Sequence, residues 1–207
     1  MRPIRKSVNP KSLLLIGIPK SFIEKDMEHF KTFNDEDLKK VKDFCEDYIA
    51  NIDSNYQENK GIFFYGSNGV GKSMLSSIIL KTAYIHRYTC RRVTFSSYIS
   101  VYTESWSMKN ADRDASVDNL YQNYKNVEFL VLEEVGKEID SKIAKPILED
   151  LLRYREENGL VTIICSNVRP SEIEKSYGAS VMSLIKGSMI PVKIVGRDMR
   201  GVLVWAV

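Results

Sequence analysis

The chain of 207 residues carries 30 Lys and Arg against 27 Asp and Glu, a net charge of +3. That is too mild by itself to demonstrate a nucleic-acid partner. With 43% hydrophobic and 28% charged residues, the length suits one domain with its own core. Global disorder, two full domains and a metal- or disulfide-stapled mini-protein are all disfavoured.

Residues 1–33 are basic and weakly patterned, with Pro3, Pro10 and Pro19 interrupting any long helix. They are expected to form a lead-in segment rather than an independent domain, with 34–207 as the core. The apolar stretch 13–18 is too short for a signal peptide, and no apolar run reaches the roughly 18 residues of a membrane span. A cytoplasmic protein with no membrane partner is expected. From Asn34 onward, Leu38, Val41, Phe44, Cys45, Tyr48 and Ile49 recur at helical spacing, with Asn34 and Asp35 as candidate caps. Gly61-Ile62-Phe63-Phe64-Tyr65 reads as a buried strand, and Leu75, Ile78, Ile79 and Ala83 mark a helix over 72–87. Further strands are expected over 92–95, 127–132, 160–165 and 192–195. A helix spans Ile143 to Leu152, where Pro146 fits only near the first turn. Strands alternating with helices predict an α/β fold, a three-layer sandwich around a five-stranded parallel sheet.

Other stretches read less simply. Tyr98, Tyr102 and Trp106 follow Arg91 and Arg92 at four-residue spacing. They are either a base-stacking stripe or the apolar face of a helix, and the core reading is favoured. The polar stretch 107–116 is expected to be a loop, in which Lys109 and Arg113 could touch phosphates. Cys45, Cys90 and Cys165 form no CxxC pair, and His29 and His86 are far apart. A structural zinc site is therefore not expected, and buried thiols in a reducing cytosol are.

The sharpest signal lies between the first strand and its helix. Gly66-Ser67-Asn68-Gly69-Val70-Gly71-Lys72-Ser73 matches the phosphate-loop pattern, with a strand before it and a helix after it. Glycines let successive N–H groups converge on phosphate oxygens, and the helix N-terminus adds its partial positive charge. Lys72 reaches the β- and γ-phosphates of ATP, or the β-phosphate of ADP, and the Ser73 hydroxyl ligates Mg²⁺. The strand Phe129-Leu130-Val131-Leu132 ends in Glu133 and Glu134. In such ATPases one acid holds Mg²⁺ and its neighbour polarises the attacking water. Glu133 stands where Asp is usual, and its extra methylene predicts slow hydrolysis. Asn167, just after the 160–165 strand, is placed to meet the γ-phosphate or the water.

Together these residues resemble the AAA+ class, and within it the bacterial helicase-loader family of the DnaC and DnaI type, with the IstB-type transposition helpers nearby. Gly17-Ile18-Pro19-Lys20-Ser21-Phe22 is similar to the family's lead-in, and Leu132-Glu133-Glu134-Val135-Gly136 to its acidic strand end. Leu151-Leu152-Arg153-Tyr154-Arg155 and Cys165-Ser166-Asn167 resemble its helix and its Thr-Ser-Asn. Gly196-Arg197-Asp198-Met199-Arg200 resembles its Gly-x-Ser-x-Arg, which implies Arg200 as a second sensor. The resemblance implies a helicase loader or replication accessory ATPase whose nucleotide state controls its hold on a replicative DNA helicase and single-stranded DNA. A transposition helper, or a helicase regulator with little hydrolysis, remain alternatives. Where the family carries an intersubunit arginine, after a helix beginning near Tyr177-Gly178, this chain has Ser183, with Lys186 as the substitute and Arg153, Arg155 and Arg169 as the other arginines to test for that role. Self-association is expected to be weak or partner-dependent. Only seven residues follow Arg200, so a full C-terminal lid is expected to be lacking, and residues 13–16 are a candidate docking peptide.

Overall fold

The computed structural model describes residues 4, 5, 7–107, 111–138 and 142–198. Strands β1 (Gly61–Tyr65), β2 (Cys90–Thr94), β3 (Phe129–Val135), β4 (Val161–Ser166) and β5 (Met189–Lys193) form one sheet in the order β2-β3-β4-β1-β5. Every pairing is parallel. β4 is inserted between β1 and β3, so the end of β4 lies between the phosphate loop and the paired acids. In open parallel sheets the carboxyl ends of the strands are where ligands are held.

The period of two along each strand divides the core into two layers. Ile62, Phe64, Phe129, Val131, Ile163 and Cys165 pack beneath α1 (Pro10–Leu15), α2 (Glu36–Ala50), α3 (Ile52–Gln57) and α4 (Lys72–Ile85). Phe63, Leu130, Leu132 and Ile164 pack beneath α5 (Phe95–Ser107), α6 (Ala111–Leu120), α7 (Ala144–Glu157) and α8 (Pro170–Ser188). Each large apolar side chain fully buried in this way contributes about 1.5–3 kcal/mol. The three-layer α/β sandwich with a five-stranded parallel sheet is therefore as expected. No described helix is long and apolar enough to cross a membrane.

Several boundaries differ from the sequence reading, each for a local reason. β2 starts at Cys90, and Phe95 opens α5 instead of closing the strand. β3 continues through both acids to Val135 by way of a bulge. β5 begins at Met189 rather than 192, and its Pro191 is tolerated because β5 is an edge strand. The stretch expected as a loop becomes α6 from Ala111; among its described side chains only Leu120 joins the buried core, which left no apolar period to read. Lys109 and the side chains of Arg113 and Trp106 lie outside the described residues. Tyr98 is fully buried and Tyr102 packs against the same cluster. Ile143 caps α7 and is 47% exposed, while Pro146 falls in the first turn. α8 starts at Pro170, and Gly178, with the non-helical φ of 89° and ψ of 167°, divides it into two helical segments, the second beginning where a helix was expected near Tyr177-Gly178. Of the two candidate caps for α2, Asp35 serves, accepting from the amides of Asp37 and Leu38.

The lead-in is folded against the core. Leu13, Ile18 and Phe30 are buried, and the Lys81 ammonium donates to the carbonyls of Ile23 and Lys25. Residues 15–17 run along the open edge of β2: Arg92 N donates to Ile16 O at 2.8 Å, and Arg91 Nη1 to Leu15 O at 2.8 Å. Gly17, at a φ of 94°, lies so close to the Arg92 carbonyl that any Cβ would overlap it. An edge strand that would otherwise offer free backbone groups is thereby covered. Of the candidate docking peptide, Leu13 turns into the core, whereas Leu14 and Leu15 are exposed.

Candidate functional site

β1 delivers the chain into loop 66–73, and α4 leaves it at Lys72 with Gly71 as N-cap. Gly69 and Gly71 take φ values of 76° and 101°, the left-handed turn that points successive amides the same way. No side chain among the described residues caps α4, so its first N–H groups face the loop. Lys72 is 7% exposed, and its Nζ donates to the carbonyls of Gly66 (2.7 Å) and Ser67 (2.6 Å). The ammonium thus sits inside the loop.

Beyond the strand ends lies a cleft of about 350 Å³. Its walls include Asn68, Gly69, Gly71, Lys72 and Ser73 of the loop, Glu133 and Glu134 of β3, Cys165 and Asn167 at the end of β4, and Phe22 of the lead-in. Phosphate loop, paired acids and Asn167 are therefore brought to one place from positions about a hundred residues apart. Gly66, Ser67 and Val70 complete the loop behind this wall, and Val70 is buried. Burial pushes the Cys165 thiol well above its usual range, and the neighbouring Glu133 charge adds to the shift; this sulfur stays protonated and unreactive.

The two acids differ sharply. Glu133 is 2% exposed. Its Oε2 accepts from Ser73 Oγ at 2.7 Å, its Oε1 from Ser76 Oγ at 2.8 Å, and Arg92 Nε stands 3.3 Å from Oε1. Glu134 is half-buried and pairs with Lys137 at 2.8 Å. Both residues occupy the bulge: Leu132 pairs with Ile164 and Val135 with Ser166, leaving two residues opposite Cys165. Glu134 takes a φ of 64°, which costs a non-glycine residue about 1–3 kcal/mol. In return, consecutive residues that a regular strand would send to opposite faces both border the cleft. The hydroxyl of Ser73 and the near oxygen of Glu133 are hard oxygen donors on one spot, a set that fits Mg²⁺.

Four contributors were not singled out as site residues, although Phe22 and Asp198 lie in stretches that resemble the family's. Ser76 lies one helical turn beyond Ser73, and that spacing was a usable signal. Arg92 gave none, since its strand Cys90–Thr94 also carries Arg91 and Thr94 and nothing local sets it apart. Phe22 gave no chemical signal. Asp198 presses its carboxylate on the phosphate loop: a Cβ at Gly69 would overlap it. Arg200 lies outside the described residues. Ser183 and Lys186 are both exposed on α8. Of the other arginines considered for a neighbouring subunit, Arg169 is exposed and Arg153 is half-exposed, 3.0 Å from Glu149. Arg155 is fully buried and can reach no neighbour.

The fold, a five-stranded parallel sheet with the phosphate loop after β1, is shared with solved structures of a helicase loader and a replication initiator. In sequence the chain resembles replicative helicase loaders. It is 25% identical over 151 residues to the replicative helicase loader DnaC of Escherichia coli K12, a match covering 72% of this chain and 56% of that protein. The crystal structure of the DnaC helicase loader superposes with a TM-score of 0.73 at 20% identity, over 86% of this chain and all of that one. The replication initiator DnaA bound to AMPPCP and single-stranded DNA gives 0.69 at 16% identity, over 87% of this chain and 52% of that one. No family model matches the chain.

Proposed function

We propose that the chain is an ATP-binding helicase loader or replication accessory ATPase, whose nucleotide state sets its hold on a replicative DNA helicase and on single-stranded DNA. The observation that carries this reading is the 2.7 Å contact between Ser73 Oγ and Glu133 Oε2 beside the buried Lys72, in a chain that resembles DnaC. The loop amides and Lys72 bind the phosphates of ATP or ADP. Ser73 and Glu133 would hold Mg²⁺, which would supply charge neutralisation to the phosphates. Glu134 orients and deprotonates the attacking water, and Asn167 hydrogen-bonds the γ-phosphate. Self-association is weak without a partner, because exposed Ser183 stands where the family carries an arginine.

A second reading, a nucleotide-binding helicase regulator with little turnover, is favoured by two observations. The Asp198 carboxylate lies against the loop that receives phosphate, and Glu134 is engaged by Lys137. The test is capture of the purified chain on an immobilised replicative helicase of its host, with ATP, ADP or no nucleotide. ATP-dependent capture is expected. Capture indifferent to nucleotide, or by a transposase instead, contradicts the loader reading. Turnover measured in the same samples separates motor from regulator.

A further inference from the structure

The resident partner of the metal-binding acid is a cation from the neighbouring strand. Glu133 and Arg92 form an ion pair with side-chain exposures of 3% and 15%, so water screens it poorly. The two carboxylate oxygens are used differently. Oε2 faces Ser73, whereas Oε1 takes Ser76 and the guanidinium. The pair is also geometrically incomplete: Arg92 Nε is buried and makes no hydrogen bond although it stands 3.3 Å from Oε1. A second acceptor is close, since Arg92 Nη1 donates to Gly17 O at 3.4 Å. The guanidinium therefore keeps an anchor in the lead-in when its hold on the carboxylate loosens.

We propose that Arg92 is a built-in counter-ion of Glu133 that offsets the carboxylate's charge and weakens the hold of this site on Mg²⁺. A metal at Ser73 and Glu133 feels the carboxylate and the guanidinium together, and like charge across one carboxylate disfavours the dication. Arg92 is thus a positioning residue for nucleotide–metal binding, not a catalytic one. This inference rests on the nucleotide-binding reading above.

The test measures Mn²⁺ affinity by electron paramagnetic resonance in the complex of the full chain with a non-hydrolysable ATP analogue. Affinity for a fluorescent ATP analogue in EDTA is recorded first. Arg92→Gln is expected to tighten Mn²⁺ on the order of tenfold. Loss of a merely structural support would loosen it, so the sign itself discriminates. Arg92→Lys, which keeps the charge and serves also if Arg92→Gln does not fold, is expected within about twofold of wild type. Unchanged or weaker Mn²⁺ binding in Arg92→Gln overturns the assignment, as does a large tightening in Arg92→Lys. Wild type that binds no analogue in EDTA or with Mn²⁺ takes down the nucleotide reading as well, whereas intact analogue binding with unmoved Mn²⁺ affinity removes only the counter-ion.

Discussion

Two arginines, Arg155 fully buried and Arg92 partly so, serve opposite ends of the same sheet and are treated differently. At the amino ends of the strands, Arg155 is fully buried and its guanidinium donates to Thr162 Oγ1 and to the carbonyls of Tyr124, Lys125, Val127 and Val161, at 2.7–3.3 Å. It ties α7 to β4 and to the turn before β3. At the carboxyl ends, Arg92 is held by one carboxylate without hydrogen-bond geometry at Nε, and by one longer contact to Gly17. A fully satisfied polar network rigidifies a fold, whereas an incompletely satisfied buried group calls for a functional reason. One end of the sheet is fully satisfied, whereas at the other the Arg92 Nε has no hydrogen-bond partner.

Breaking the well-satisfied end is expected to have the largest effect. Arg155→Met removes every one of these bonds and leaves several buried carbonyls unpaired, at a cost of about 3–5 kcal/mol. Thermal denaturation followed by circular dichroism should show a midpoint lower by roughly 10 °C. A drop no larger than that of a surface substitution would mean that the network is not what holds this end. At the other end, Glu134→Gln should leave the fold and ATP affinity intact while lowering turnover by about a hundredfold. Equal turnover in both proteins would remove Glu134 from the chemistry. Asp198→Asn removes an exposed negative charge from the phosphate loop and should tighten ATP about two- to fivefold; weaker binding would make Asp198 a helper instead. The smallest effect concerns the thiols. Burial lifts Cys45 to about 12 and raises Cys90 and Cys165 as well. The folded protein should therefore resist iodoacetamide at pH 8, and denaturant should release three reactive thiols. Ready labelling without denaturant would contradict the packing around them.

How much of this was legible in the sequence depends on distance along the chain. The phosphate loop is local: eight consecutive residues between a strand and a helix state their own geometry. The sheet was legible for the same reason, because unbroken apolar runs such as Phe129-Leu130-Val131-Leu132 declare strands buried on both faces. The ends of elements were less so. Phe95 and Pro191 read against their true places because a helix start and an edge strand depend on neighbours that the local pattern does not contain. The character of the acidic pair was not legible at all. Nothing adjacent to Glu133 announces Arg92, 41 positions earlier, nor that a bulge would turn Glu134 to the same cleft. Arg155 was misplaced for the same reason: it reads as a surface arginine on a helix, and only the carbonyls it reaches across the sheet place it in the core.

Whether the phosphate loop and the acids form one nucleotide site is tested most directly by titration of a fluorescent ATP analogue, with Mg²⁺, into wild type and Lys72→Ala. Lys72→Ala should fold normally by circular dichroism and lose about ten- to a hundredfold in affinity. Unchanged affinity in a folded Lys72→Ala would contradict the site.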